Sequence, residues 1–268
     1  MEAAKADFVE VDMVEALSEV LASLRSAIAS MQQPKPSFPS ESALFNGWSP
    51  PADSPGYISW QSEEGTFLGN LLVNGYTIIK GELQVKGGTF KSIKKDIEGK
   101  VVHGQPLVLV QLENAINFMK EAIVNVEELQ RISERSGEPS LATIESLFLL
   151  LQRAAGELQE PSSLLRNECL LEVPLTPPLP TEVTWEACVI RGAISVTVNQ
   201  LAPRSKRDST RTPVSPFVIS RKNVLWECTD SVQFECNAPW IPEAANQLGE
   251  AMHTVAWLQD QVRVLEMN

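Results

Sequence analysis

Histidine is nearly missing from this chain: its 268 residues include only His103 and His253, far apart in sequence. Cysteine is scarce as well. Cys169, Cys188, Cys228 and Cys236 are the four, and no two form a Cys-x-x-Cys pair. A structural zinc site takes closely spaced ligand pairs, so no metal framework is present. The thiols read as reduced and buried on strands. Basic residues are in deficit: 22 Lys and Arg stand against 34 Asp and Glu, a formal net charge of −12. That balance argues against nucleic acid or an anionic membrane surface as the main partner, since both attract basic proteins. No apolar run approaches the roughly 18–20 residues of a membrane span. The acidic opening from Met1 to Val11 has no apolar signal core, and no Asn-x-Ser/Thr acceptor occurs. A cytoplasmic protein is expected, neither secreted nor inserted in a membrane.

Catalytic patterns are absent too. There is no Gly-x-Ser-x-Gly elbow, no His-Glu-x-x-His and no Gly-x-Gly-x-x-Gly. Gly87-Gly88 and the lysines after it lack the Walker spacing and read as a solvated hairpin. His253 lies between apolar residues of a helix, and His103 sits at a strand-to-helix turn; both read as structural. The many carboxylates fall on solvated helix faces, with no pair confined in an apolar pocket as acid–base tuning would require. The chain is expected not to be an enzyme, with no catalytic, cofactor-binding or metal residues.

What is present is periodicity. Hydrophobic residues make up 43%, enough for one large domain or two modest ones. Residues Ala4 to Met31 predict a helix. Val14, Leu17, Leu21, Leu24, Ile28 and Met31 are spaced as a coiled-coil seam about three heptads long. Such a seam packs in an antiparallel bundle or, alternatively, against a second copy. Gln32 to Gly56 is rich in Pro and Ser and reads as a linker. Phe45 and Trp48 in it either pin the linker to a domain or anchor a partner.

Tyr57 to His103 is β territory. Asn74-Gly75 signals a turn, Tyr76 to Lys86 alternates as a strand, and after Gly87-Gly88 a strand is expected to return from Thr89 to Ile97. Gln105 to Arg135 and Leu141 to Gln159 predict two long helices. The short connection makes them antiparallel neighbours. A Pro-rich stretch follows. Glu182 to Leu201 is strand-like by its Val and Ile content, with a helix from Ala187 onward as the alternative. Ala202 to Pro216 predicts a loop holding the densest basic patch, Arg204, Lys206, Arg207 and Arg211. This patch is a candidate for binding an acidic partner, or for phosphorylation at Ser209 or Thr210. Its bland alternative is a solvated loop. Phe217 to Glu227 and Ser231 to Asn237 predict the last two strands.

The final stretch ties these parts together. Val232, Phe234 and Cys236 alternate as a half-buried strand. Pro239 and Pro242 turn the chain, and Glu243 to Met267 continues as a helix. Its predicted inner stripe is Ala244, Leu248, Met252, Val255, Trp257, Leu258, Val262 and Leu265. Cys236, Pro239 and Trp240 form the corner, and Trp240 is expected to be buried where sheet meets helix. The fold class is therefore α+β, a discontinuous antiparallel four-helix bundle joined to an antiparallel β-sheet domain. The expected layout is residues 1–56 for the first bundle helix and linker, 57–104 for the first part of the β domain, and 105–160 for two bundle helices. Residues 161–238 complete the β domain and 239–268 form the last helix.

Several stretches resemble the Rogdi family in the same order. They are Tyr76-Thr-Ile-Ile-Lys-Gly-Glu-Leu-Gln-Val85, Gln111 to Ile123, Leu151-Gln-Arg-Ala154, Pro178-Leu-Pro180 followed by Val183 to Leu201, and, most specifically, Phe234-Glu-Cys-Asn-Ala-Pro-Trp-Ile241. The Pro-rich linker and the basic loop depart from the family pattern. The resemblance implies a non-catalytic scaffold beside a large WD-repeat subunit in RAVE or rabconnectin complexes, which promote joining of the peripheral and membrane sectors of the V-ATPase. It implies peripheral V-ATPase subunits as further partners. It also implies recruitment to vacuolar or endosomal membranes through partners alone.

Overall fold

The computed structural model describes residues 12–32, 56–90, 93–101, 107–136, 140–159, 171–172, 174–204, 218–221 and 224–267. Four long helices carry the apolar stripes. They are α1 (Met13–Met31), α2 (Val110–Ser136), α3 (Leu141–Gln159) and α4 (Trp240–Met267). Each stripe is wide enough that burying it needs more than one neighbour. The solution is a ring in which α1 packs between α2 and α4, and α3 closes the other side. Leu17 and Leu24 of α1, Ile116 and Met119 of α2, Leu151 of α3 and Leu248 of α4 are sealed from solvent. Polar contacts on the rim fix the directions. Along α1, Met13, Ser18 and Arg25 meet Ser133, Gln130 and Glu127 of α2 in descending order, so the two run antiparallel. Arg263 of α4 reaches Glu145 of α3 at 3.0 Å.

The seam of α1 is thus consumed inside the chain. Leu17, Leu21, Leu24 and Met31 are buried against the other helices, and no apolar seam remains on α1 for a second copy.

Two antiparallel sheets make up the β part. Sheet A runs β1 (Tyr57–Gln61), β2 (Phe67–Asn74), β3 (Thr77–Val85), β4 (Ile97–Val101) and β7 (Leu175–Thr176), with β5 (Leu107–Val108) on β3. Sheet B runs β10 (Val218–Arg221), β11 (Val224–Cys236), β9 (Ala193–Pro203), β8 (Val183–Ile190) and β6 (Leu171–Glu172). Alternating side chains meet between the sheets. Trp60 of β1 lies 6.0 Å from Trp185 of β8 and 6.4 Å from Phe234 of β11, and Phe67 of β2 lies 5.9 Å from Phe234. The Trp60 ring is seated on Gly69. A Cβ there would come within 2.2 Å of the ring, so only glycine lets the indole reach this depth.

The structure corrects several expected boundaries. Glu182 to Leu201, expected to be strand-like, is a hairpin of β8 and β9, and no helix starts at Ala187. Arg191 (φ 51) and Gly192 (φ 75) form its two-residue turn, with both residues in the left-handed region that such turns require. After Gly87-Gly88 the chain does not return as a strand from Thr89. Phe90 and Ile93 are buried, Ile93 N–H bonds to Phe90 O, and Gly87 N–H bonds to Asp96 Oδ1, so this local loop delays β4 to Ile97. The helix expected from Gln105 begins at Val110, because Leu107 and Val108 pair with β3 and Leu109 N–H bonds to Tyr76 O. The break expected between Glu227 and Ser231 is a bulge within the continuous strand β11. The last helix starts at Trp240 rather than Glu243. Trp257 is 40% exposed and sits off the inner stripe; Ala251 and Gln259 are buried instead. The segment before Asp12, Phe45, Trp48, His103 and Cys169 lie outside the described residues.

Candidate functional site

The bundle and the sheets meet at three linked points. First, Gln111, one residue into α2, is buried and turned toward β8. Its Nε2 donates to Val189 O at 2.8 Å, and Val189 N–H donates to its Oε1 at 2.6 Å. The primary amide mimics a peptide unit and closes the edge of β8 where no strand runs. The same Nε2 lies 3.4 Å from Glu157 O of α3, so one side chain binds two helices to the sheet.

Second, the Arg191-Gly192 turn caps α3. The Arg191 N–H donates to Gln159 O, and Gly192 N–H donates to Leu158 O at 2.9 Å, satisfying carbonyls that a helix end leaves open. Gly192 also sits beside the Pro242 ring at the start of α4. Third, β11 leads directly into α4. Cys236 ends β11, paired with Ile194. Ala238 and Pro239 supply carbonyls to Ile241 N–H and Glu243 N–H. Pro239 faces solvent, whereas Cys236 and Trp240 are 3% and 6% exposed. Burial pushes the Cys236 thiol up to about 12, and the nearby Glu235 charge adds to it.

Glu157 belongs to this junction. Burial raises its carboxyl above the usual range, partly opposed by the hydrogen bond from Asn114 Nδ2 at 3.4 Å.

Sheet B carries a buried polar row on its far face. Asn199 Nδ2 donates to Glu186 Oε2 at 2.9 Å and to Thr184 Oγ1 at 3.2 Å. Its Oδ1 accepts from Ser231 Oγ at 2.8 Å and from the Cys228 thiol at 3.7 Å. Burial raises the Cys228 thiol; a backbone hydrogen bond with Asp230 opposes this, and the charges of Glu186 and Asp230 add to the rise. A thiol kept protonated is a poor nucleophile. The row therefore reads as a hydrogen-bonded tie across β8, β9 and β11. Sequence reasoning missed it and missed Gln111, because neither carries a local pattern.

Of the basic candidates, Arg204 is described. It is half-buried just past β9, and its N–H donates to Leu225 O at 2.7 Å. Lys206, Arg207 and Arg211, with Ser209 and Thr210, lie outside the described residues. His253 is exposed on α4. A concavity of 390 Å³ on sheet A is lined by Ser59, Gln61, Asn70, Glu82 and Gln84. Among the described residues no group of three or more His, Cys, Asp or Glu is placed to hold a metal ion. Among them, too, no helix is long and apolar enough to cross a membrane.

A bundle tied to a β-sandwich through backbone caps and a buried amide defines a structural class: a two-part α+β module built around tertiary contacts. Residues 57–225, more than half of the chain, match the family described as Rogdi leucine zipper containing protein. The chain belongs to that family. The matched range holds α2, α3 and most of both sheets, whereas α1 and the Cys236–Trp240 corner lie beyond it. A search of curated proteins finds no match. Family membership suggests a scaffold or adaptor role.

Proposed function

We propose that this chain is a non-catalytic adaptor subunit of a RAVE-type complex that promotes assembly of the V-ATPase. The observation that carries the reading is the family match over residues 57–225. The junction supports it in physical terms. An adaptor must hold two surfaces in fixed relation, and Gln111 and the Arg191-Gly192 turn tie the bundle to sheet B through hydrogen bonds. The proposed partners are a large WD-repeat subunit and peripheral V-ATPase subunits, with the chain reaching vacuolar or endosomal membranes only through them. The five segments 1–56, 57–104, 105–160, 161–238 and 239–268 are proposed to act as alternating halves of these two parts.

Affinity purification of the tagged chain from its own cytosol under mild conditions tests this. Co-purification of a WD-repeat protein with pump subunits is expected. Recovery of the chain without either would remove the reading.

A further inference from the structure

We infer that the concavity on sheet A is a binding site for a neutral carbohydrate, a short chain of sugar rings. Such a site goes beyond the adaptor reading and does not depend on it.

Strand register assembles the polar groups. Ser59, Asn70, Glu82 and Lys100 stand opposite one another across β1, β2, β3 and β4. Two positions along each strand, Gln61, Leu68, Gln84 and Glu98 make the next row. Side chains alternate between the faces of a sheet, so both rows share one face, opposite the one on which Trp60 meets Trp185. The concavity that these rows line has a volume of 390 Å³. Small-ligand sites run to about 300–1,000 Å³.

The side chains there have hydrogen bonds to give. Ser59, Gln61 and Gln84 are exposed. Among the described residues none bonds the Ser59 hydroxyl or either glutamine amide. Each amide offers two donors and an acceptor in one plane. Glu82 beside them is held in place: Asn70 Nδ2 donates to its Oε2 at 3.5 Å, and Lys100 Nζ lies 3.4 Å from its Oε1. Half-buried Leu68 supplies an apolar spot between Gln61 and Gln84.

These groups select the ligand class. Lys100 and Lys86 balance Glu82 and Glu98; Lys86 Nζ and Gln61 Nε2 flank Gly65, at 3.9 and 3.5 Å from where its Cβ would stand. A charged ligand gains little from a balanced rim, and an apolar one would leave the amides unpaired. A peptide strand adds at a sheet edge, whereas this site lies on a face across paired strands. A sugar ring meets both demands. Its hydroxyls donate and accept in neighbouring pairs that match a planar amide, and its C–H face can rest on Leu68.

The test titrates the full chain with maltotriose, cellotriose and chitotriose, read by saturation-transfer NMR and calorimetry. Saturable binding of at least one is expected, unchanged between about 0.05 and 0.5 M salt because the ligand is uncharged. Gln61→Ala and Gln84→Ala remove exposed amides. Each is expected to weaken binding about threefold to tenfold, as loss of a hydrogen bond or two does, at an unchanged thermal midpoint. Gln233→Ala removes an exposed amide of β11 and is expected to change nothing. No saturable binding of any of the three sugars overturns the inference. So does binding that both glutamine variants keep, or that Gln233→Ala weakens as much. Equal binding of glycerol or of an end-blocked glycine–serine peptide also overturns it, as does tighter, salt-sensitive binding of a sulfated disaccharide. The cytosolic purification decides the adaptor reading separately, so either can fail while the other stands.

Discussion

The side-chain amide of Gln111 occupies both backbone hydrogen-bonding groups of Val189, at 2.8 and 2.6 Å, and so substitutes for a strand at the edge of β8. Replacing it with Leu leaves a buried N–H and a buried C=O unpaired. Each such group costs roughly 1–3 kcal/mol, a large part of a typical domain's stability. Urea unfolding of Gln111→Leu is expected to show a clearly lower midpoint. A wild-type midpoint would mean that water replaces the amide and that the junction does not depend on it.

Trp240 is buried at the start of α4, just past the end of β11. Trp240→Ala removes a buried aromatic at the first turn of α4, a change that typically costs about 3–5 kcal/mol. Denaturant unfolding at the wild-type midpoint would show that the corner is not where the layers meet.

Gly69 is set by the indole above it. A methyl group there meets Trp60 at 2.2 Å, well inside contact distance. Overpacking of this kind costs typically 1–3 kcal/mol. Gly69→Ala is expected to lower stability and to shift tryptophan emission as Trp60 is displaced. The double variant Gly69→Ala, Trp60→Phe should recover part of the loss; further destabilisation would contradict the seating of the ring.

The Cys236 thiol, pushed up to about 12, stays protonated in the fold and loses its proton near 8.5 once unfolded. A group whose folded value is raised lends stability that is whole below the unfolded value and lost as pH rises toward the folded one. Stability is therefore expected to fall from about pH 8.5 upward, and Cys236→Ala should flatten that slope. Thiol labelling at pH 8 should be slow in buffer and fast in urea. Rapid labelling of Cys236 in the native state would contradict its burial.

Leu24 separates the two fates of the α1 seam. It is sealed inside the bundle, so Leu24→Ala is expected to cost about 2–5 kcal/mol in a protein that is monomeric throughout. Light scattering that shows a wild-type dimer, dissociated by Leu24→Ala without loss of stability, would restore the dimer seam.

The helices were legible because their stripes are long. Leu17, Leu24, Leu147, Leu151, Leu248 and Val255 repeat over many turns, and their inner positions follow from spacing alone. The Asn74-Gly75 turn and the Cys236–Trp240 corner carry strong local signals, and Gly75 does adopt a positive φ. Arg191-Gly192 was missed because an arginine at the first turn position is uncommon, and its left-handed backbone answers to the ends of α3 and α4 more than to local preference. Gln111 was invisible for a similar reason. A single polar residue beside an apolar stripe looks solvated until a strand 78 positions away is placed against it. Trp257 went the other way. Its spacing admitted it to the inner stripe, yet Ala251 and Gln259 are the buried residues there and Trp257 is 40% exposed.

The proposed role in V-ATPase assembly can be tested in cells. The most direct measurement is the fraction of peripheral V-ATPase subunits bound to membranes in cells lacking this chain, before and after its return. The adaptor reading predicts that the bound fraction falls on removal and recovers with the wild type, but recovers less with Gln111→Leu at equal protein level. An unchanged bound fraction in its absence would contradict it.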